Sequence, residues 1–206
     1  MIHSTMVLVA LLAAVNTLSA QSAPPVRAFP KSTGFSLGVA NFDSRSESAP
    51  DGRFSYKGSL IVGGRFDQPL SRRTGLLVAL GVAPLSQQRG QSSESTVLND
   101  KLIVAIADAA IGWRFKPIAP VFFSAGGGLT YATKPPAAIA TGSIAEPHAL
   151  LAIGYDAPSN SRWKIRTVFS YRMVIVGADS DSTTTEKSLA HDWTLEIGGR
   201  YRLRER

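Results

Sequence analysis

The sequence predicts an all-β fold: an eight-stranded antiparallel up-and-down transmembrane β-barrel. Three observations carry that prediction. Segments of strand character alternate an apolar face with a charged face, as period-two side chains do on a pleated ribbon. Their number is even. The gaps between them alternate long and short, the pattern of extended loops at one barrel end and tight turns at the other.

The chain opens with an apolar core over 6–15 and a small, polar stretch ending at Ala20. Residues 1–20 therefore read as a secretory signal peptide, too short in its apolar core to span a bilayer as a helix. Residues 21–33 contain Pro24, Pro25 and Pro30 and read as an extended leader, and the barrel domain is expected over 34–206.

The eight segments lie at 34–42, 55–67, 73–84, 101–116, 120–132, 145–156, 162–174 and 191–203. In the second, Tyr56, Leu60, Val62 and Phe66 oppose Lys57 and Arg65. The third is apolar on both faces. In the fourth, Ile103, Ala105, Ala107, Ala109, Ile111, Trp113 and Phe115 oppose a mixed face with Asp108 and Arg114. The seventh sets Trp163, Ile165, Phe169 and Tyr171 against Lys164, Arg166 and Arg172, and the eighth sets Trp193, Leu195, Ile197 and Tyr201 against Glu196, Arg200 and Arg202. The gaps 43–54, 85–100, 133–144 and 175–190 are long, whereas 68–72, 117–119 and 157–161 are short.

Period alone does not say which face is outside. A soluble lipocalin-like barrel carrying an apolar ligand would place the greasy face inward. Aromatics decide for the membrane. With strands run alternately up and down, Phe35, Phe66, Trp113, Phe115, Phe123, Tyr155, Trp163 and Tyr201 fall at the turn end. Tyr56, Tyr131, Tyr171 and Trp193 fall at the loop end, making two rings as at two lipid–water boundaries. The charged faces then point into a lumen that eight strands make just wide enough for side chains, so the barrel is expected to be filled and not an open pore.

Cysteine is absent and the net charge is +7, but the basic residues alternate along strands instead of clustering, so nucleic-acid binding is not expected. No cofactor or metal is expected: no second His or Cys lies at ligand spacing from His191. Gly126-Gly127-Gly128 lies inside a strand with no helix after it, which excludes a phosphate loop and points to close strand packing. The turn end is basic, with Arg72, Arg73, Lys116, Arg162, Arg202 and Arg204, placing cations where they could meet anionic headgroups.

On these features the chain resembles the small eight-stranded outer-membrane β-barrel proteins of the OmpA/OmpX type. Glu196-Ile197-Gly198-Gly199-Arg200-Tyr201-Arg202-Leu203 looks like the C-terminal signal read by the barrel-assembly machinery, although Arg204-Glu205-Arg206 follows where the family normally stops on an aromatic. The resemblance implies residence in the bacterial outer membrane, outer-membrane lipid and the assembly machinery as partners, a monomeric state, and a structural or surface-interaction role. Relatives of this shape include lipid A deacylases and acyltransferases, which makes a lipid-modifying enzyme the alternative. Its candidate catalytic residues are Glu146, His148 and Ser170, which share inward parity and meet if the turn at 157–161 pairs the sixth segment with the seventh. The deacylase pattern His-x-Ser is absent, because residue 150 is Leu. The expected alternative is ion-pair filling, with Glu146 opposite Arg172, Asp192 nearby, and no catalytic residue in the chain.

Overall fold

The computed structural model describes residues 27–42, 52–92, 97–132, 144–159, 161–176 and 188–203. The expected signal peptide, the first part of the leader and the tail 204–206 lie outside the described residues. Nine strands follow in order: β1 (Ser32–Asn41), β2 (Gly52–Lys57), β3 (Ser59–Pro69), β4 (Thr74–Ser92), β5 (Val97–Trp113), β6 (Val121–Ala132), β7 (Ile144–Asp156), β8 (Trp163–Val176) and β9 (Ser188–Arg202). All pairings are antiparallel, and they run in a closed circuit β1–β3–β4–β5–β6–β7–β8–β9–β1. The interruption at Gly58 divides the second barrel strand into β2 and β3, so the circuit has eight places. Closure pairs every wall strand on both edges, which removes the exposed edges of an open sheet.

The expected long loops are partly strand, 85–100 most extensively. Beyond an irregularity between Ala83 and Ser86, β4 and β5 continue to pair from Ser86 to Gln91, and β2 pairs with β4 over Gln87–Ser92. β5 joins β6 only from Val104 onward. Period-two patterning locates strands that separate an inside from an outside. A ribbon beyond the wall has no such task, so its Gln- and Ser-rich sequence reads as loop.

Side-chain polarity is inverted relative to a soluble protein. Outward positions carry Phe35, Leu37, Val39, Leu60, Val62, Ile111, Phe123, Leu151, Ile153, Ile165, Phe169, Leu195 and Ile197, all exposed. Inward positions carry Asp67, Asp108, Glu146, Arg166, Arg172, Asp192, Glu196 and Arg200, all buried. Aromatics lie exposed or half-buried at both ends of the outer wall, including Trp113, Tyr155, Trp163 and Tyr201 at the turn end and Tyr131, Tyr171 and Trp193 at the other.

The interior is layered. At the turn end a floor forms from Ala28, Phe29, Phe122 and Val168. Residues 27–31 of the expected leader turn in against the barrel: Ala28 N–H donates to the Arg72 carbonyl at 3.0 Å, and Leu203 N–H donates to the Lys31 carbonyl at 2.9 Å. Phe29 is fully buried. It seats over Gly75 and Gly112, which face each other in the β4–β5 register. A Cβ on Gly75 would stand 2.5 Å from Phe29 Cβ, and one on Gly112 would stand 2.8 Å from its ring. The Gly pair is thus a notch cut for this ring. Toward the loop end the lining turns apolar again, with Ala40, Phe42, Ile61, Ala83, Val104, Ile106 and Ala132 in one cluster. The two-sided apolar character of the third and fourth segments is explained by that collar: their outer residues face the apolar exterior while Ala83, Val104 and Ile106 cap the polar middle.

Candidate functional site

Between floor and collar lie two polar networks. The lower one joins five strands and the turn that follows β5. Arg166 on β8 places Nε 2.6 Å from Asp156 on β7 and Nη1 3.0 Å from Asp67 on β3. Arg200 on β9 and Arg114, just past β5, both donate to Asp156 Oδ2. Arg114 also donates to the Ala119 carbonyl, and Ser32 donates to Asp67 at 2.9 Å. The guanidinium groups meet the aromatic floor directly: Arg114 lies 5.0 Å from the Phe29 ring centroid and Arg166 lies 4.7 Å from that of Phe122. Phe29 and Phe122 contact edge to face at 5.5 Å. Burying charges is costly unless they are paired and hydrogen-bonded, and here each carboxylate accepts from more than one donor.

The upper network contains His148. Its Nε2 lies 2.7 Å from Asp108 Oδ1, and its Nδ1 lies 3.1 Å from Thr130 Oγ1. The β5–β6–β7 register puts Asp108, Gly128 and His148 in one row. Because the middle member has no side chain, the imidazole reaches across β6 to β5. A Cβ on Gly128 would stand 2.8 Å from His148 Nε2. Close packing is thus what the triple-glycine stretch provides at this position. Asp108 also takes Arg172 of β8, at 2.5 Å from Nη2 and 3.2 Å from Nε. From there Arg172 Nη1 donates to Thr194 at 3.3 Å, and Thr194 donates to Glu196 at 3.2 Å. Arg65 on β3 lies 2.7 Å from Glu196, and Ser36 on β1 donates to it at 2.6 Å. The chain of contacts therefore crosses the lumen from β6 to β3.

The structure separates Ser170 from His148, while Glu146 and His148 stay on one face of β7. Ser170 pairs with Ala152, whereas His148 pairs with Val174, four positions further along β8. The expected turn at 157–161 is too tight: Ala157 N–H donates to the Ile165 carbonyl at 2.8 Å, so the reversal runs on to Arg166. Pro158 has no N–H to close a shorter turn, and Ser159 and Ser161 accept backbone donors at 3.0 Å inside the longer one. The same displacement sets Leu150, not Glu146, opposite Arg172, while Asp192 is the direct neighbour of Arg172 on β9. Glu146 faces Thr130 across β6. Glu146, His148, Ser170 and Asp192 are all buried.

The sequence places Asp108 on the inner parity of the fourth segment but does not join it, or Thr130, to His148. The signal was a glycine between two inward polar positions on neighbouring strands. Asp108, His148 and Thr130 do form a carboxylate–imidazole–hydroxyl series. Thr130 is only 3% exposed and His148 only 5%, so no substrate reaches the hydroxyl in this arrangement. Among the described residues, no group of three His, Asp or Glu side chains converges on a metal position.

No protein-family model matches the sequence, and no curated protein matches it either. Solved structures do. The outer membrane protein OprG from Pseudomonas aeruginosa superposes with a TM-score of 0.54 at 11% identity, covering 88% of this chain and all of that one. The outer membrane protein AlkL (0.49, 14% identity, 91% of this chain and 97% of that one) and Neisserial surface protein A (0.48, 11% identity, 85% and 97%) are similar at a lower level. At such identities the likeness reaches the backbone and no further: in fold, this chain is a small eight-stranded antiparallel barrel of the outer-membrane type.

Proposed function

We propose that the chain is a small monomeric β-barrel of the bacterial outer membrane, exported by residues 1–20 and inserted by the barrel-assembly machinery through its last strand. Its role is structural or one of surface contact, made by the long segments opposite the tight turns. One observation carries this reading: apolar side chains cover the outside while ion pairs fill the inside. That polarity suits lipid around the wall and supports a bore filled by side chains and not an open pore. The layering of floor, two ion-pair networks and collar supports a closed barrel. The contacts of His148 with Asp108 and Thr130 favour lumen filling over catalysis by Glu146, His148 and Ser170.

Membrane fractionation combined with heat-modifiable gel mobility tests the proposal. The protein should sediment with the outer membrane, and its folded form should migrate faster unboiled than boiled. Recovery in the soluble periplasmic fraction, with no mobility shift, would overturn it in favour of a soluble carrier.

A further inference from the structure

The turn end carries an unbalanced set of charges. Lys31, Arg72, Arg73, Lys116, Arg162 and Arg202 are all exposed there. Among the described residues at this end the only carboxylates are Asp67 and Asp156, and both are buried in the lower network. None of the six cations has a carboxylate within 4.0 Å among the described residues. Among the described residues, the charges of the two inner networks are paired while these six rim cations have no carboxylate partner, so ion pairing does not account for the six.

Two of these cations are neighbours with a defined setting. Arg202 N–H donates to the Arg162 carbonyl at 2.9 Å, which fixes the two residues side by side where β8 begins and β9 ends. Immediately up the wall, Trp163 and Tyr201 face outward with ring centroids 5.1 Å apart. The two exposed arginines adjoin the two interfacial rings along the chain: Arg162 precedes Trp163 and Arg202 follows Tyr201. Around the same rim, Phe115 is 69% and Ile118 80% exposed, flanking Lys116. Apolar side chains that project this far beside cations suit the boundary between headgroups and acyl chains, not bulk water.

We propose that Arg162 and Arg202 bind the phosphate of an anionic phospholipid, with Trp163 and Tyr201 lying against its glycerol and upper acyl segments. This rests on the membrane reading above. Guanidinium groups suit the site because each presents a planar fork of donors to phosphate oxygens. An anionic lipid is favoured over a zwitterionic one because its headgroup carries net negative charge, whereas the ammonium of a zwitterionic headgroup offsets its own phosphate and is repelled by the two arginines.

The test uses the full-length mature protein folded in dodecylmaltoside. It is mixed with equal amounts of phosphatidylglycerol and phosphatidylethanolamine of identical chains, and bound lipid is counted by native mass spectrometry. Phosphatidylglycerol adducts should exceed phosphatidylethanolamine adducts several-fold. Arg162→Gln with Arg202→Gln should abolish most of that preference, Arg162→Lys with Arg202→Lys should keep part of it, and all should retain heat-modifiable mobility. Equal adducts of the two lipids on the wild type, or an unchanged preference in the Gln variant, would overturn the proposal. Displacement of the lipid by millimolar inorganic phosphate would also overturn it, because the site would then serve a soluble anion. Failure of the membrane reading shows separately, as absence of the mobility shift and of outer-membrane sedimentation.

Discussion

His148 and Asp108 hydrogen-bond at 2.7 Å although a whole strand lies between them, because Gly128 leaves the space above β6 empty. Gly128→Ala should therefore destabilise the barrel. The added Cβ would meet both the imidazole and the Ala107 carbonyl oxygen, and overpacking of this kind costs about 1–3 kcal/mol. Urea unfolding in lipid vesicles measures it. A variant as stable as the wild type would mean that His148 reaches Asp108 by another path.

Asp108 is the point at which His148 and Arg172 meet, so its removal leaves Arg172 buried without the carboxylate that β5 supplies. Asp108→Ala should cost about 3–5 kcal/mol, the usual penalty for breaking one side of a buried pair. Replacing both partners, Asp108→Leu with Arg172→Met, should cost less than Asp108→Ala alone. Such an inversion separates a charge that must be neutralised from a contact that merely adds stability. Equal losses in the single and double variants would count against this account of the interior.

On the outer wall, Phe169 sits midway along β8 between Ile153 and Leu195. Phe169→Arg should cost about 2–4 kcal/mol in vesicles if the wall faces lipid near mid-membrane, since a charge there must leave water. The same change in a soluble barrel would place Arg in solvent at almost no cost. Unfolding of the variant in vesicles therefore reports on which medium surrounds β8.

The aromatic floor yields a coupled prediction. Gly112→Val places side-chain atoms where the Phe29 ring lies, so it should destabilise strongly alone. In a Phe29→Ala background the clash is gone, and the two losses should fall short of additivity, as for residues in direct contact. Phe29→Ala by itself should cost about 3–5 kcal/mol, the range for a fully buried aromatic. Strict additivity would place Phe29 elsewhere than in the notch.

The wall of this barrel was legible in the sequence and its interior wiring was not, for a physical reason. Which residues face outward depends only on parity along one strand, so Trp163, Ile165 and Phe169 declared themselves against Lys164, Arg166 and Arg172. Which inward residues touch depends on register between strands, and register depends on turn geometry. Ser159 and Ser161 lengthen the β7–β8 reversal, and that shift moves Ser170 away from His148. The pairing of Asp108 with His148 is not legible in the sequence because the two lie two strands apart, a separation Gly128 permits. Composition is also silent on Phe29: Pro24, Pro25 and Pro30 suggest extended chain and say nothing of a ring that joins the floor of the barrel, because its receptor is a pair of glycines far downstream on β4 and β5.

Conduction gives the last test, and the layering makes it a demanding one. An ion entering at the turn end would meet Phe29 and Phe122, then the Arg114, Arg166 and Arg200 guanidinium groups held on Asp67 and Asp156. Next come Arg172 and Arg65 on Asp108 and Glu196, and finally the collar of Phe42, Ile61, Val104 and Ile106. Each barrier is of a different kind, so loss of one leaves the others standing. Planar-bilayer recording should show no stable channel for the wild type. Phe29→Ala should be equally silent, because the buried ion pairs above it still fill the bore. A variant that also breaks the lower network, such as Phe29→Ala with Arg166→Ala, should remain closed at the collar. Steady single-channel conductance from the folded wild type would refute the filled interior, and conductance from Phe29→Ala alone would make the aromatic floor the sole seal.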